Sequence, residues 1–261
     1  MLLSGRSGVG KTWGSIEFPD VFYVDVENGA SEPHYLDKLK DAGALYMGPA
    51  DGSQDAVQVV EAIHQLITQK HDRKTVILDS ITKWWMVQIS EAEKTVGSQY
   101  GADKKEAIKW MRRLIRNLDQ LDMNVLLVAH AKPQWDDGTV IGDTFDCWEK
   151  LEYELDLWCE VTLEGSKRIA TVRKSRVEAF PVGKRFPWSY DTFADTYGRS
   201  DVEAKSKATK QSKILEKLIA DHEVPEATVN KWLEKAGVDS ISKLPNDIQK
   251  KCINFIEETL T

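Results

Sequence analysis

The residues with the clearest chemistry are Gly5-Arg6-Ser7-Gly8-Val9-Gly10-Lys11-Thr12, which satisfy the phosphate-loop pattern G-x-x-x-x-G-K-[ST] at every fixed position. Each type has a task. Glycines let backbone N–H groups close on phosphate oxygens, Lys11 carries a point charge to the outer phosphates, and the Thr12 hydroxyl is a ligand for Mg2+. Apolar Met1-Leu2-Leu3 before the loop and Thr12 to Phe18 after it supply the strand, loop and helix that the motif requires.

Three polar residues close further apolar runs. Asp79 ends Thr75-Val76-Ile77-Leu78, a Walker B pattern, and a carboxylate there holds the Mg2+ that Thr12 also touches. Hydrolysis of a nucleoside triphosphate also needs a carboxylate to orient water, and the residue after Asp79 is Ser80, which cannot take that role. Glu27, just past Val21-Phe22-Tyr23-Val24-Asp25-Val26, is the natural candidate. His130 follows Asn124-Val125-Leu126-Leu127-Val128-Ala129, where an imidazole can bond γ-phosphate oxygens or serve only a structural role.

Cations recur downstream. Alternating runs at 157–163 and 167–172 flank Glu164-Gly165-Ser166, a hairpin signal, and Arg173-Lys174-Ser175-Arg176 comes directly after. A helix is expected from Asp103 to Leu121, with Ile108, Met111, Ile115 and Leu118 on one stripe. Lys105, Lys109, Arg112 and Arg116 share a different face, either solvated or placed to meet phosphates. Pro133 to Phe145, with Trp135 and Asp136-Asp137-Gly138, reads as an exposed, mobile loop.

The elements that must position these residues are bounded by composition. A chain of 261 residues with 41% hydrophobic content buries a full core and has room for a small second domain. A net charge of -7 excludes a protein that coats nucleic acid through overall charge, so any such contact needs a local basic patch. Three cysteines without a C-x-x-C pair suit reduced thiols in a cytosol, and no apolar run approaches a membrane span. The expectation is a cytoplasmic protein with a core over 1–198, a lysine-rich linker over 199–212 and a helical bundle over 213–261. In that bundle Trp232 is a core residue.

The motifs GRSGVGKT at 5–12, VDVENG at 24–29, ILDS at 77–80, LLVAHAK at 126–132 and RKSR at 173–176 give the sequence a family likeness. It resembles the RecA-like P-loop ATPases, and more closely the phage group of RecA-like single-strand annealing proteins, catalogued as phage nucleotide-binding or AAA-type ATPases. The resemblance covers most of residues 1–190. It implies an α/β fold of the RecA-like P-loop NTPase type: a mostly parallel sheet with a β-hairpin extension, joined here to the small C-terminal helical bundle. It also implies ATP and Mg2+ as cofactors, Glu27 as the water-orienting base, His130 as the γ-phosphate sensor, and assembly into homo-oligomeric rings or filaments. A K-x-R pair that reaches a neighbouring subunit's nucleotide maps onto Lys174 and Arg176. RecA itself has glutamine where this chain has His130. The loop after His130 corresponds by position to a DNA-binding loop, which would put Trp135 against bases. The implied activity is a DNA-stimulated, Mg-dependent ATPase that binds single-stranded DNA and promotes annealing or strand exchange in phage recombination, in the bacterial host's cytoplasm. The bundle would recruit a recombination or single-strand-binding partner. A helicase-type motor or loader is the alternative; a small-molecule kinase fits less well, because Glu27 suits the activation of water.

Overall fold

The structure is a computed structural model and describes residues 1–203, 210–222, 224–238, 240–241 and 244–259. In chain order the core elements are β1 (Leu2–Gly5), α1 (Lys11–Ser15), β2 (Val21–Asp25), α2 (Pro33–Asp41), β3 (Leu45–Met47), α3 (Ala56–Thr68), β4 (Thr75–Asp79), α4 (Ile81–Val96) and α5 (Ala102–Leu118). They continue with β5 (Asn124–Asp136), β6 (Thr139–Phe145), α6 (Leu151–Glu154), β7 (Leu157–Glu164), β8 (Lys167–Ser175), β9 (Arg185–Pro187), α7 (Tyr190–Tyr197) and α8 (Arg199–Val202). The C-terminal region carries α9 (Lys210–Asp221), α10 (Glu226–Ala236) and α11 (Asn246–Thr259).

The sheet runs β3-β2-β4-β5-β1-β7-β8-β9, with β6 paired to β5 outside that path. From β3 to β7 all neighbours are parallel; β8 and β9 add antiparallel strands at one edge. This is the mostly parallel α/β sheet, with hairpin and helical C-terminal region, that the sequence led us to expect. Parallel strands are covered on both faces, so they read as unbroken apolar runs rather than as alternation. Successive side chains then enter opposite cores. Leu2 and Val24 pack with α3, α4 and α5, while their neighbours Leu3 and Tyr23 pack on the other face with Ile16, Leu39 and Phe193. Trp84 and Trp85 of α4 are core members of the first face.

Two expectations change. Residues 133–145 form no loop: β5 runs on past the sheet to Asp136 and returns as β6, turning at Asp137 (φ 44°) and Gly138 (φ 78°). Both turn residues have positive φ, the geometry that a two-residue hairpin connection needs. The second change concerns β7, which is a core strand beside β1 as well as one arm of the β7–β8 hairpin.

The first residues of the expected linker form α8, and Val202 is buried in the second core with its carbonyl accepting from the Asn124 side chain at 2.9 Å. Lys205 and Lys207 lie outside the described residues. Beyond them Leu215, Val224, Leu244, Cys252 and Ile256 make a separate small core, against which Trp232 packs as expected.

Candidate nucleotide-binding site

Register brings the chemistry to one sheet edge. Gly5 pairs with His130, and Asp25 pairs with Asp79, so the carboxyl ends of β1, β2 and β4 meet at the level where β5 passes through His130. They line a cleft of about 760 Å3, within the range that small-molecule sites occupy. All of Lys11, Thr12, Asp79, Glu27 and His130 face it, together with Gly5, Arg6, Ser7, Gly8 and Gly10. Val9 is the exception: it is buried in the core beneath the loop.

The Lys11 ammonium donates across the loop to the carbonyls of Gly5 at 2.8 Å and Arg6 at 2.9 Å. Burial lowers its pKa, an effect that the nearby Asp79 and Glu27 charges oppose. A desolvated cation on a loop of the phosphate-binding pattern is suited to a polyanion.

Asp79 is buried, and a single carboxylate oxygen accepts from the Thr12 hydroxyl at 2.6 Å and from the Tyr23 phenol at 2.8 Å. Burial raises its pKa; the two hydroxyl donors pull the other way. Two adjacent hard oxygens, one of them a carboxylate, fit Mg2+, which takes one or two protein ligands and completes its shell with water and phosphate. Among the described residues no group of three or more His, Cys, Asp or Glu could hold a metal unaided. Thr12 and Asp79 would hold Mg2+ here, and the ion would neutralise charge on the phosphate oxygens.

Glu27 accepts from His130 Nε2 at 2.7 Å and from the Ser80 hydroxyl. Burial alone would raise its pKa, but the His130 and Ser80 hydrogen bonds and the charges of His130 and Lys11 outweigh that and keep it below the ordinary value. The same hydrogen bond raises the His130 pKa, against partial burial. Glu27 is thus held as a carboxylate, the form that can take a proton from water. Ser80 has two tasks, since its oxygen also caps α4 by accepting from the Lys83 N–H at 3.1 Å. Asp25 shapes the turn that presents Glu27: its carboxylate accepts from the N–H groups of Glu27, Gly29 and Ala30 and from the Tyr46 hydroxyl.

Lys174 and Arg176 are not in this cleft. β8 runs antiparallel to β7, so Lys174 pairs with Trp158 and Ser175 with Leu157, at the sheet edge opposite the phosphate loop. Lys174 donates to the Glu152 carbonyl; Arg176 donates to the Tyr153 carbonyl at 2.8 Å and pairs with Asp156 at 3.4 Å. The β8 cation that does line the cleft, beside Lys11 and Arg6, is Arg168 at the start of the strand, and sequence reasoning passed over it. Reading the hairpin as antiparallel would have found it, because residues next to the Gly165-Ser166 turn must sit at the carboxyl end of β7. Trp13, His34 and Tyr35 also line the cleft and were likewise missed; Lys38 Nζ lies 3.7 Å from the centre of the Trp13 ring.

The profile of an AAA domain matches residues 1–186, nearly the whole of the sheet and its helices. The chain belongs to this AAA domain family. Its phosphate loop and Walker B strand make it a P-loop ATPase family member in which nucleotide binding is the shared property. No curated protein matches this AAA domain chain. A crystal structure of the RadB recombinase is similar to it at 16% identity, covering 71% of this chain and 85% of that one, with a TM-score of 0.45. Among the described residues of this AAA domain protein, no helix is long and apolar enough to cross a membrane.

Proposed function

We propose that the protein is a Mg-dependent ATPase that binds single-stranded DNA and acts in recombination by annealing or strand exchange. The observation that carries the ATPase reading is the meeting of Lys11, Thr12, Asp79, Glu27 and His130 on one cleft. Glu27 would orient the attacking water and His130, bonded to it, would sense the γ-phosphate. The ring faces of Trp13, His34 and Tyr35 suit a nucleobase.

The DNA reading rests on the β5–β6 hairpin. β5 passes through His130 and runs on to Asp136, so one strand links the proposed phosphate-sensing position to Trp135, which is 64% exposed. Val140 and Ile141 on β6 are exposed beside it. An exposed indole on a projecting hairpin is suited to stacking on unpaired bases. Assembly into a ring or filament belongs to the same proposal: Lys174 and Arg176 face away from their own nucleotide cleft, so any role in hydrolysis must be played in a neighbouring subunit. Such a cation in trans accelerates hydrolysis by about 10³ to 10⁵.

The test is ATP turnover with and without single-stranded DNA, at several salt concentrations. Stimulation that weakens with salt is expected. Turnover indifferent to DNA would remove the DNA half of the proposal, and transfer of phosphate to a nucleoside or nucleotide instead of water would replace it with a kinase.

A further inference from the structure

The arginines of β8 and β9 divide into two kinds. Arg173 pairs with Glu160 at 3.7 Å and Arg185 pairs with Glu164. Arg168 takes part in no ion pair among the described residues, and its cross-strand neighbour is Leu163, which offers no charge. Yet its backbone is fixed on both sides, by the β7 register and by the Trp188 N–H bonded to its carbonyl at 2.9 Å.

The guanidinium lies against Gly10 of the phosphate loop. Gly10 has φ 87°, a conformation that favours glycine, and a Cβ built there would meet the Arg168 Nε and Cδ atoms, which shows how closely the side chain approaches the loop. A cation in no ion pair among the described residues thus lies against the loop that also carries Lys11. Exposed to solvent at the mouth of the cleft, the guanidinium can turn its donors to an incoming anion. The direction of approach matters too. Asp79 and Glu27 come from β4 and β2, on one side of β1, whereas Arg168 comes from β8 on the other.

We propose that Arg168 is a phosphate-binding residue acting in cis, which grips the inner phosphates of the nucleotide from the flank opposite the hydrolytic carboxylates. The proposal rests on the nucleotide-binding reading of this cleft. A contact to phosphates present in both substrate and product stabilises ground state and transition state alike, so it lowers Kd and KM and leaves kcat unchanged. A guanidinium fork on phosphate also differs from an ammonium, so lysine replaces it only in part.

The experiment is equilibrium titration of ATP and ADP, with saturated turnover, for wild type, Arg168→Gln and Arg168→Lys. Arg168→Gln is expected to weaken both nucleotides by about tenfold to hundredfold, the size of a hydrogen bond to a charged group, with kcat within about threefold of wild type. Arg168→Lys should recover part of the loss. Unchanged affinity in Arg168→Gln, or a loss for ATP but not ADP, would overturn the assignment while leaving the cleft a nucleotide site. A wild-type protein that binds neither nucleotide would overturn the reading of the cleft and this assignment with it.

Discussion

Replacing Glu27 by glutamine keeps the side chain's shape and removes its charge, and the structure separates the consequences by size. Glu27 and His130 are 31% and 48% exposed, so solvent screens their pairing and its contribution to stability is about 0–1 kcal/mol. For a chain of this length that is a fall of no more than about 2–4 °C in Tm. Loss of a general base costs about 10² to 10⁴ in rate, which is about 2.7–5.4 kcal/mol on the barrier. Glu27→Gln should therefore melt almost like wild type, bind ATP within about threefold, and release phosphate at least about a hundredfold more slowly. The same variant frees His130, whose imidazole pKa should fall toward the ordinary 6.5 when followed by NMR. The sign of the pH dependence follows from the two shifts. Glu27 is lowered, so its contribution is full above 4.5 and fades as pH falls through its folded value; His130 is raised, so its contribution is full below 6.5 and fades as pH rises through its folded value. The pair is strongest between those limits. Turnover by Glu27→Gln within about threefold of wild type would refute the reasoning, because the two other carboxylates that line the cleft are already engaged. Asp25 is tied to three N–H groups and Asp79 to two hydroxyls.

Asp79→Asn should raise the Mg2+ concentration needed for half-maximal turnover by at least about tenfold while ATP binding without metal changes little; an unaltered Mg2+ dependence in a metal titration would remove Asp79 from the metal site. Trp135→Ala should weaken binding to single-stranded DNA by about tenfold to hundredfold in a fluorescence titration, matching about 1–3 kcal/mol for one stacked base, and equal affinity would locate the DNA elsewhere. Arg176→Ala subunits should bind ATP normally and hydrolyse it poorly. Mixed with Lys11→Ala subunits they should regain some turnover, and an assembled mixture that stays inactive would count against a cation acting across an interface.

Much of this site could be read from residue order because its members are local to strand ends. A parallel strand is apolar until it leaves the sheet, so the first polar residue after each run, such as Asp79 or His130, marks the carboxyl edge. That rule does not distinguish residues two apart: Asp25 and Glu27 both follow the Val21 run, and only their hydrogen bonds separate the turn-former from the candidate base. The β5–β6 hairpin was hidden because Pro133, Gln134 and Asp136 lie beyond the core, where a strand needs no apolar residues. Its Asp137-Gly138 turn was nevertheless present in the sequence. Arg168 and Lys174 share one strand and face opposite ends of the sheet. Their placement depends on the direction of β8 relative to β1, a non-local property that composition does not carry.

The central claim is that Lys11 and its neighbours on the carboxyl edge bind and hydrolyse a nucleoside triphosphate, and phosphate release from saturating Mg-ATP by wild type and Lys11→Ala tests it most directly. Steady release by wild type that falls to background in a folded Lys11→Ala protein is the predicted result. Equal release by the two proteins, or none from wild type with or without DNA, would contradict it.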